Sequence, residues 1–68
     1  MYDTLHELLH RQPFEPFEIH LSNGNSYSIR HPEIAQLMKT KIVVALPEPG
    51  QFAVCFLLHV AEVRILKQ

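Results

Sequence analysis

The chain has 68 residues, of which 47% are hydrophobic and 19% are charged, and its formal net charge is −1. This length allows one small domain, residues 1–68, with a core near the lower limit for independent folding, so oligomerisation is one route to stability. The near-balance of charge argues against a nucleic-acid partner and leaves little repulsion between copies of the chain.

Cysteine content and hydropathy predict a cytoplasmic protein. Cys55 is the only cysteine, and residues 1–4 lack the basic and apolar parts of an export signal. The longest strongly apolar run, residues 52–58, is far too short to span a bilayer. We therefore expect no membrane partner.

Residues 4–11 are predicted to form a short helix. Thr4 can cap its first turn while Glu7, three residues later, reaches back to the cap amide. Pro13 ends the helix because the residue before a proline is disfavoured in the α region. One narrow apolar face is formed by Leu5, Leu8 and Leu9. The extended connector that follows, residues 13–16, carries Phe14 as a plug between helix and sheet.

Residues 17–22 and 25–30 alternate between apolar and polar side chains and predict a hairpin with one solvated face. A two-residue Asn-Gly loop would put the apolar sets of the two strands on opposite faces. A three-residue loop with Gly24 in a left-handed bulge pairs Ile19 with Tyr27, so that both face the core. We expect the three-residue loop.

His31-Pro32-Glu33 is predicted to begin a second short helix or turn. Apolar residues at helical spacing extend it: Ile34, Leu37 and Met38. Strands are then expected at residues 42–46, 52–58 and 60–66, with a type II turn at residues 47–50 because of its Pro-Gly pair.

The later strands are apolar on both faces and need cover on both. We expect an α+β fold: a short N-terminal helix packed on a bent, roughly five-stranded antiparallel sheet, SH3-like or Sm-like in shape. The missing cover comes either from closure into a small barrel or from a second subunit. The surface expected to mediate self-association carries Phe52, Val54, Phe56 and Leu58.

His6-Glu7-Leu8-Leu9-His10 matches the HExxH motif, in which two histidines on one helical face bind zinc and the glutamate activates water. The short terminal helix is a poor setting for a catalytic zincin, because nothing fixes a third ligand near it. We interpret the match as a chance occurrence on an exposed helix face. No catalytic residue, cofactor or metal is predicted, and a zinc site at His6 and His10 stays an alternative.

The outward side of the hairpin is the first place to look for a ligand. It carries Glu18, His20 and Arg30. His20 and His31 are expected to lie near each other at the base of the hairpin, although a solvated face explains them as well. Cys55 is expected to be a buried, inert thiol.

A second function remains open, since small barrels of this general shape include nucleic-acid binders. A modest basic patch would be formed by Arg30, Lys39, Lys41 and Arg64, with Tyr2 or Phe14 stacking on a base. Without clustered charge, this weak nucleic-acid binder is the alternative to an assembly module.

The segment Gln12-Pro13-Phe14-x-Pro16-Phe17-x-x-His20-Leu21-x-x-Gly24, followed by His31-Pro32-Glu33, resembles a family of short, uncharacterised bacterial proteins. The resemblance covers the first half of the chain and transfers no functional residue. It implies that the segment defines a fold. We predict a small, non-enzymatic interaction or assembly module that acts as a homo-oligomer, with room for an unidentified protein partner.

Overall fold

The computed structural model of the protein describes residues 1–66. One helix precedes six strands: α1 (Tyr2–His10), β1 (Phe17–Leu21), β2 (Ser26–Ile29), β3 (Ala35–Leu37), β4 (Lys41–Ala45), β5 (Phe52–Phe56) and β6 (Val60–Ile65). Two single turns of 3₁₀ helix, Pro32–Ile34 and Leu57–His59, join β2 to β3 and β5 to β6. The expected α+β class with an N-terminal helix is confirmed.

The strands form two antiparallel sheets of three. The first sheet has the order β2-β1-β6 and the second the order β3-β4-β5. The described residues therefore form six strands in two sheets and no closed barrel, so the five-strand and barrel details of the prediction are not confirmed. Within residues 1–66, no helix is long and apolar enough to cross a membrane.

Helix α1 begins two residues before the predicted start. Met1 occupies the N-cap and no side chain caps the helix, so the predicted cap at Thr4 is wrong. Glu7 is instead held by Arg11, whose guanidinium donates two hydrogen bonds to the Glu7 carboxylate at 2.9 and 2.7 Å. The helix ends at His10, and Arg11 is already extended, in keeping with the stop expected from the nearby proline.

The hairpin has the predicted register. Phe17 lies opposite Ile29 and Ile19 opposite Tyr27, which leaves a three-residue loop. Gly24 has φ +94°, the left-handed region that glycine enters without steric cost. The backbone N–H of Asn25 also donates to the Asn23 side-chain oxygen at 2.9 Å, so the loop is held by local hydrogen bonds.

The helical turn at Pro32 does not continue as predicted. Ala35 is extended, with φ −126° and ψ 136°, and begins β3. In β3, Leu37 lies opposite Ile42 of β4. Strand pairing overrides the helical spacing here, because alternation on β3 lets Leu37 pack against the core while Gln36 faces solvent.

One core lies between the helix and both sheets. Its buried side chains come from all three: Leu5, Leu8, Phe17, Ile19, Ile29, Ile42, Val44 and Cys55. Phe14 packs half-buried against it, with its ring 6.1 Å from that of Phe17, as expected of a plug. The predicted type II turn is supported by Gly50 at φ +79° and by a hydrogen bond from Gln51 N–H to the Glu48 carbonyl at 3.2 Å.

Candidate interaction surface

The second sheet exposes a row of large apolar side chains, which we call the β5 surface: Phe52, Val54, Phe56 and Leu58. Their exposed fractions are 67%, 55%, 52% and 88%. Three of them alternate along β5, and Leu58 follows in the 3₁₀ turn. These are the four apolar residues that the sequence marked as a contact surface.

The alternation of β5 explains this exposure. Cys55 is only 2% exposed and belongs to the core, so its neighbours Val54 and Phe56 point away from it. Burial raises the pKa of the Cys55 thiol, which favours the unreactive neutral form. On the outer face, Val54 lies opposite Val43 of β4, so the apolar row continues across the sheet.

The outer face of the first sheet is polar. Glu18 and His20 lie two residues apart on β1, with the His20 ring nitrogen 2.7 Å from a Glu18 oxygen. The Ser28 hydroxyl donates to the other Glu18 oxygen at 3.3 Å. Opposite them on β6, Arg64 donates to Glu62 at 2.6 Å.

The charged side chains on this polar face mostly pair with one another. The hydrogen bond from Arg64 lowers the pKa of the Glu62 carboxyl, and the same contact raises the pKa of Arg64. Glu62 and Arg64 were absent from the predicted ligand face because they reach it only through the pairing of β1 with β6. The available sequence signal was their alternation with Val63, which puts Glu62 and Arg64 together on the solvated face of β6.

Arg30 does not share the Glu18–His20 hydrogen-bonded group. It follows β2, is exposed, and lines an open cleft of about 520 Å³ together with His31 and Tyr27. The cleft runs between the outer edge of β2 and the end of β4. Ser28 lines this cleft too and donates to Glu18, so the cleft adjoins the Glu18–His20 group while Arg30 makes no hydrogen bond to it.

The predicted proximity of His20 and His31 is wrong. His20 lies opposite Ser26 near the hairpin turn, whereas His31 follows the other end of β2. Five residues of extended chain separate Ser26 from His31, which is about 17 Å along the strand direction. The register that buries Ile19 with Tyr27 puts the two histidines at opposite ends.

The HExxH residues form a stacked pair on the exposed side of α1. The His6 and His10 rings are 4.3 Å apart between centroids, and His10 Nδ1 donates to the His6 carbonyl at 2.9 Å. Both histidines line a second cleft, of about 620 Å³, which Glu33 lines as well. Over residues 1–66, no group of three or more His, Cys, Asp or Glu side chains is arranged to hold a metal ion.

The residues proposed for a basic patch are divided between the sheets. Arg64 is on the first sheet and is paired with Glu62, whereas Lys41 is on the second sheet opposite Phe56. A cationic groove for a phosphate backbone would need several unpaired cations in a row.

Comparison with protein-family models, curated proteins and solved structures finds no match to this chain. Functional inference therefore rests on the surfaces described above.

Proposed function

We propose that this protein is a small, non-enzymatic assembly module of the cytoplasm that acts as a homo-oligomer through the β5 surface. The observation that carries the proposal is the exposure of three apolar side chains on one face of β5, in which two phenylalanines flank Val54. Aromatic residues are enriched at interfaces, whereas soluble monomers rarely leave them clustered in water.

The area of the β5 surface supports self-association of modest strength. Phe52 and Phe56, each more than half exposed, present roughly 180–300 Å² together. Val54 and Leu58 add roughly 100–200 Å². Complete cover of this surface in both copies would bury roughly 600–1,000 Å², an upper limit that approaches the lower limit of about 1,000 Å² for specific interfaces. We therefore expect dissociation in the micromolar range.

The lack of charge on the β5 surface also favours a second copy of this chain as its partner. Residues 52–58 contain no charged side chain, and the nearest charge on the paired strand is Lys41, opposite Phe56. Two such surfaces can meet without like-charge repulsion at the centre, as self-complementary interfaces require.

The SH3-like or Sm-like shape belongs to the same proposal. Two features support it: the sheets share one core, and each of the two direct connections between them is short and contains one 3₁₀ turn. On this view the sheets are two halves of a partly open barrel. Membership of the family of short bacterial proteins with the Gln-Pro-Phe-x-Pro-Phe segment likewise stays a proposal.

Sedimentation velocity over a concentration series tests the function. We expect a monomer–dimer equilibrium for the natural chain. Phe56→Asp should weaken association at least about a hundredfold, because each dimer carries the substitution twice and each copy replaces an apolar contact of about 1.5–3 kcal/mol with a charge. Tyr2→Asp is the matched control, since Tyr2 is also an exposed aromatic residue but lies on α1. A natural chain that sediments as a monomer at about 100 μM would contradict the proposal.

A further inference from the structure

We infer that two copies join edge to edge through β5, as antiparallel strands, with Val54 of one copy opposite Val54 of the other. The inference rests on the proposed self-association and adds its geometry. The two second sheets would become one sheet of six strands with a two-fold axis at Val54.

Backbone groups along β5 alternate between those that bond to β4 and those that are free to pair with another strand. Leu46 N–H donates to the Gln51 carbonyl at 3.0 Å, and Leu57 N–H donates to the Thr40 carbonyl at 2.9 Å. Both pairs fit the register of β4 with β5, in which Ile42 lies opposite Cys55. In an antiparallel ladder, hydrogen-bonded and non-hydrogen-bonded pairs alternate. Odd-numbered residues of β5 therefore direct their N–H and C=O groups toward β4.

The even-numbered residues direct theirs to the open edge of the sheet. Phe52, Val54 and Phe56 lie opposite Ala45, Val43 and Lys41 as non-hydrogen-bonded pairs. β5 is the last strand of its sheet, so the outward groups of these three residues have no strand partner within residues 1–66. The residues with exposed apolar side chains are thus the same ones that offer backbone hydrogen bonds.

The hairpin-loop residues 21–23 line a cleft of about 350 Å³ together with Val54 and Phe56, but β5 itself lacks the sequence features by which strands usually prevent edge pairing. Such features are lysine or proline on the strand, inward charges, bulges or very short strands. β5 has five residues, Phe-Ala-Val-Cys-Phe, and pairs with β4 without a register shift. By contrast, β3 at the other edge of the sheet has only three residues. A dimer joined through β5 would therefore have β3 at both outer edges, and a strand this short disfavours further pairing.

The register between the two β5 strands follows from the two-fold symmetry and from the alternation of free backbone groups. With Val54 on the axis, Phe52 of each copy lies opposite Phe56 of the other, which gives three hydrogen-bonded pairs. All their side chains fall on the outer face, and two Phe–Phe pairs form. A shift of two residues toward the C-terminus would place Leu58, which is in a 3₁₀ turn, opposite Phe52. That register leaves two hydrogen-bonded pairs within β5 and no Phe–Phe pair.

Cysteine cross-linking tests the register, in a Cys55→Ala background with oxidised glutathione as oxidant. Val54→Cys should cross-link to itself, because Cα atoms of a hydrogen-bonded pair are about 5.5 Å apart, within disulfide range. Phe52→Cys alone and Phe56→Cys alone should not, because each residue is about 14 Å along the strand from its own copy. A mixture of these two variants should give the heterodimer.

Met38→Cys, exposed but on no β5 edge, controls for random collision. All three β5 positions are more than half exposed, so the variants should fold, which circular dichroism checks. Dimers by sedimentation with a different cross-linking pattern, such as Phe52→Cys with itself, would overturn the edge register but leave self-association standing. Monomers at every concentration would overturn both.

Val54→Pro provides a second measurement. It removes an N–H group that points to the open edge and takes no part in the ladder with β4. The expected product is a folded monomer. Ala53→Pro, which removes an N–H directed at β4, should instead lose the sheet. A Val54→Pro chain that is folded and dimerises as tightly as the natural chain would contradict edge pairing.

Discussion

Gly24 shows how one residue fixes the position of many others. The hairpin could have used a two-residue loop, but that register would have sent Ile19 and Tyr27 to opposite faces of the sheet. A residue with φ +94° absorbs the additional loop position. The buried faces of both strands therefore depend on a backbone conformation that residues with a side chain rarely adopt.

Gly24→Ala should destabilise the fold by about 1–2 kcal/mol, the cost of a left-handed conformation for an L-residue. A Cβ atom at this position would meet nothing within 4 Å, so the cost is one of backbone conformation. Urea denaturation measures it. Gly24→Asn should lose less, because asparagine tolerates left-handed geometry. Equal stability of the alanine variant and the natural chain would show that the loop does not require a left-handed residue at position 24.

At the scale of secondary structure, local patterns predicted elements well and their boundaries less well. Strands β1 and β2 follow from alternation and one Gly turn, all within residues 17–29. Strand β3 could not be found this way, because Ile34 and Leu37 have helical spacing and only pairing with β4 makes Leu37 extended. The start of α1 was missed because no side-chain cap marks it.

Leu5→Ala should test whether α1 is held by packing. The helix has nine residues, too few to be stable alone, and Leu5 is fully buried. We expect a loss of about 2–5 kcal/mol, a large part of what so small a core supplies. His6→Ala, next to it but exposed, should change stability by less than about 0.5 kcal/mol. Chemical denaturation of both variants gives the comparison, and a loss as small for Leu5→Ala as for His6→Ala would mean that α1 contributes little.

At the scale of the whole molecule, the sequence could predict a surface only where its residues lie close together in the chain. The β5 surface lies on one strand and its turn, so alternation alone identified it. The polar face needed the pairing of β1 with β6, which joins residues more than forty positions apart, and no local pattern indicates that pairing. Division of the strands into two sheets is non-local for the same reason.

Self-association should appear in thermal stability, since burying the β5 surface adds to a small core. For a dimer that dissociates on unfolding, each tenfold rise in concentration above Kd stabilises a protomer by about 0.7 kcal/mol. In a domain of this size that corresponds to a rise in Tm of about 3–6 °C. Thermal unfolding followed by circular dichroism at several concentrations measures it.

Phe56→Asp supplies the control, because a variant that cannot pair should have a Tm independent of concentration. Its Tm should equal that of the natural chain at high dilution, since Phe56 is half exposed in the protomer and its loss removes little of the core. If both proteins melt at one temperature throughout, β5 does not stabilise the fold by pairing. If both shift in parallel, copies associate through a surface other than β5.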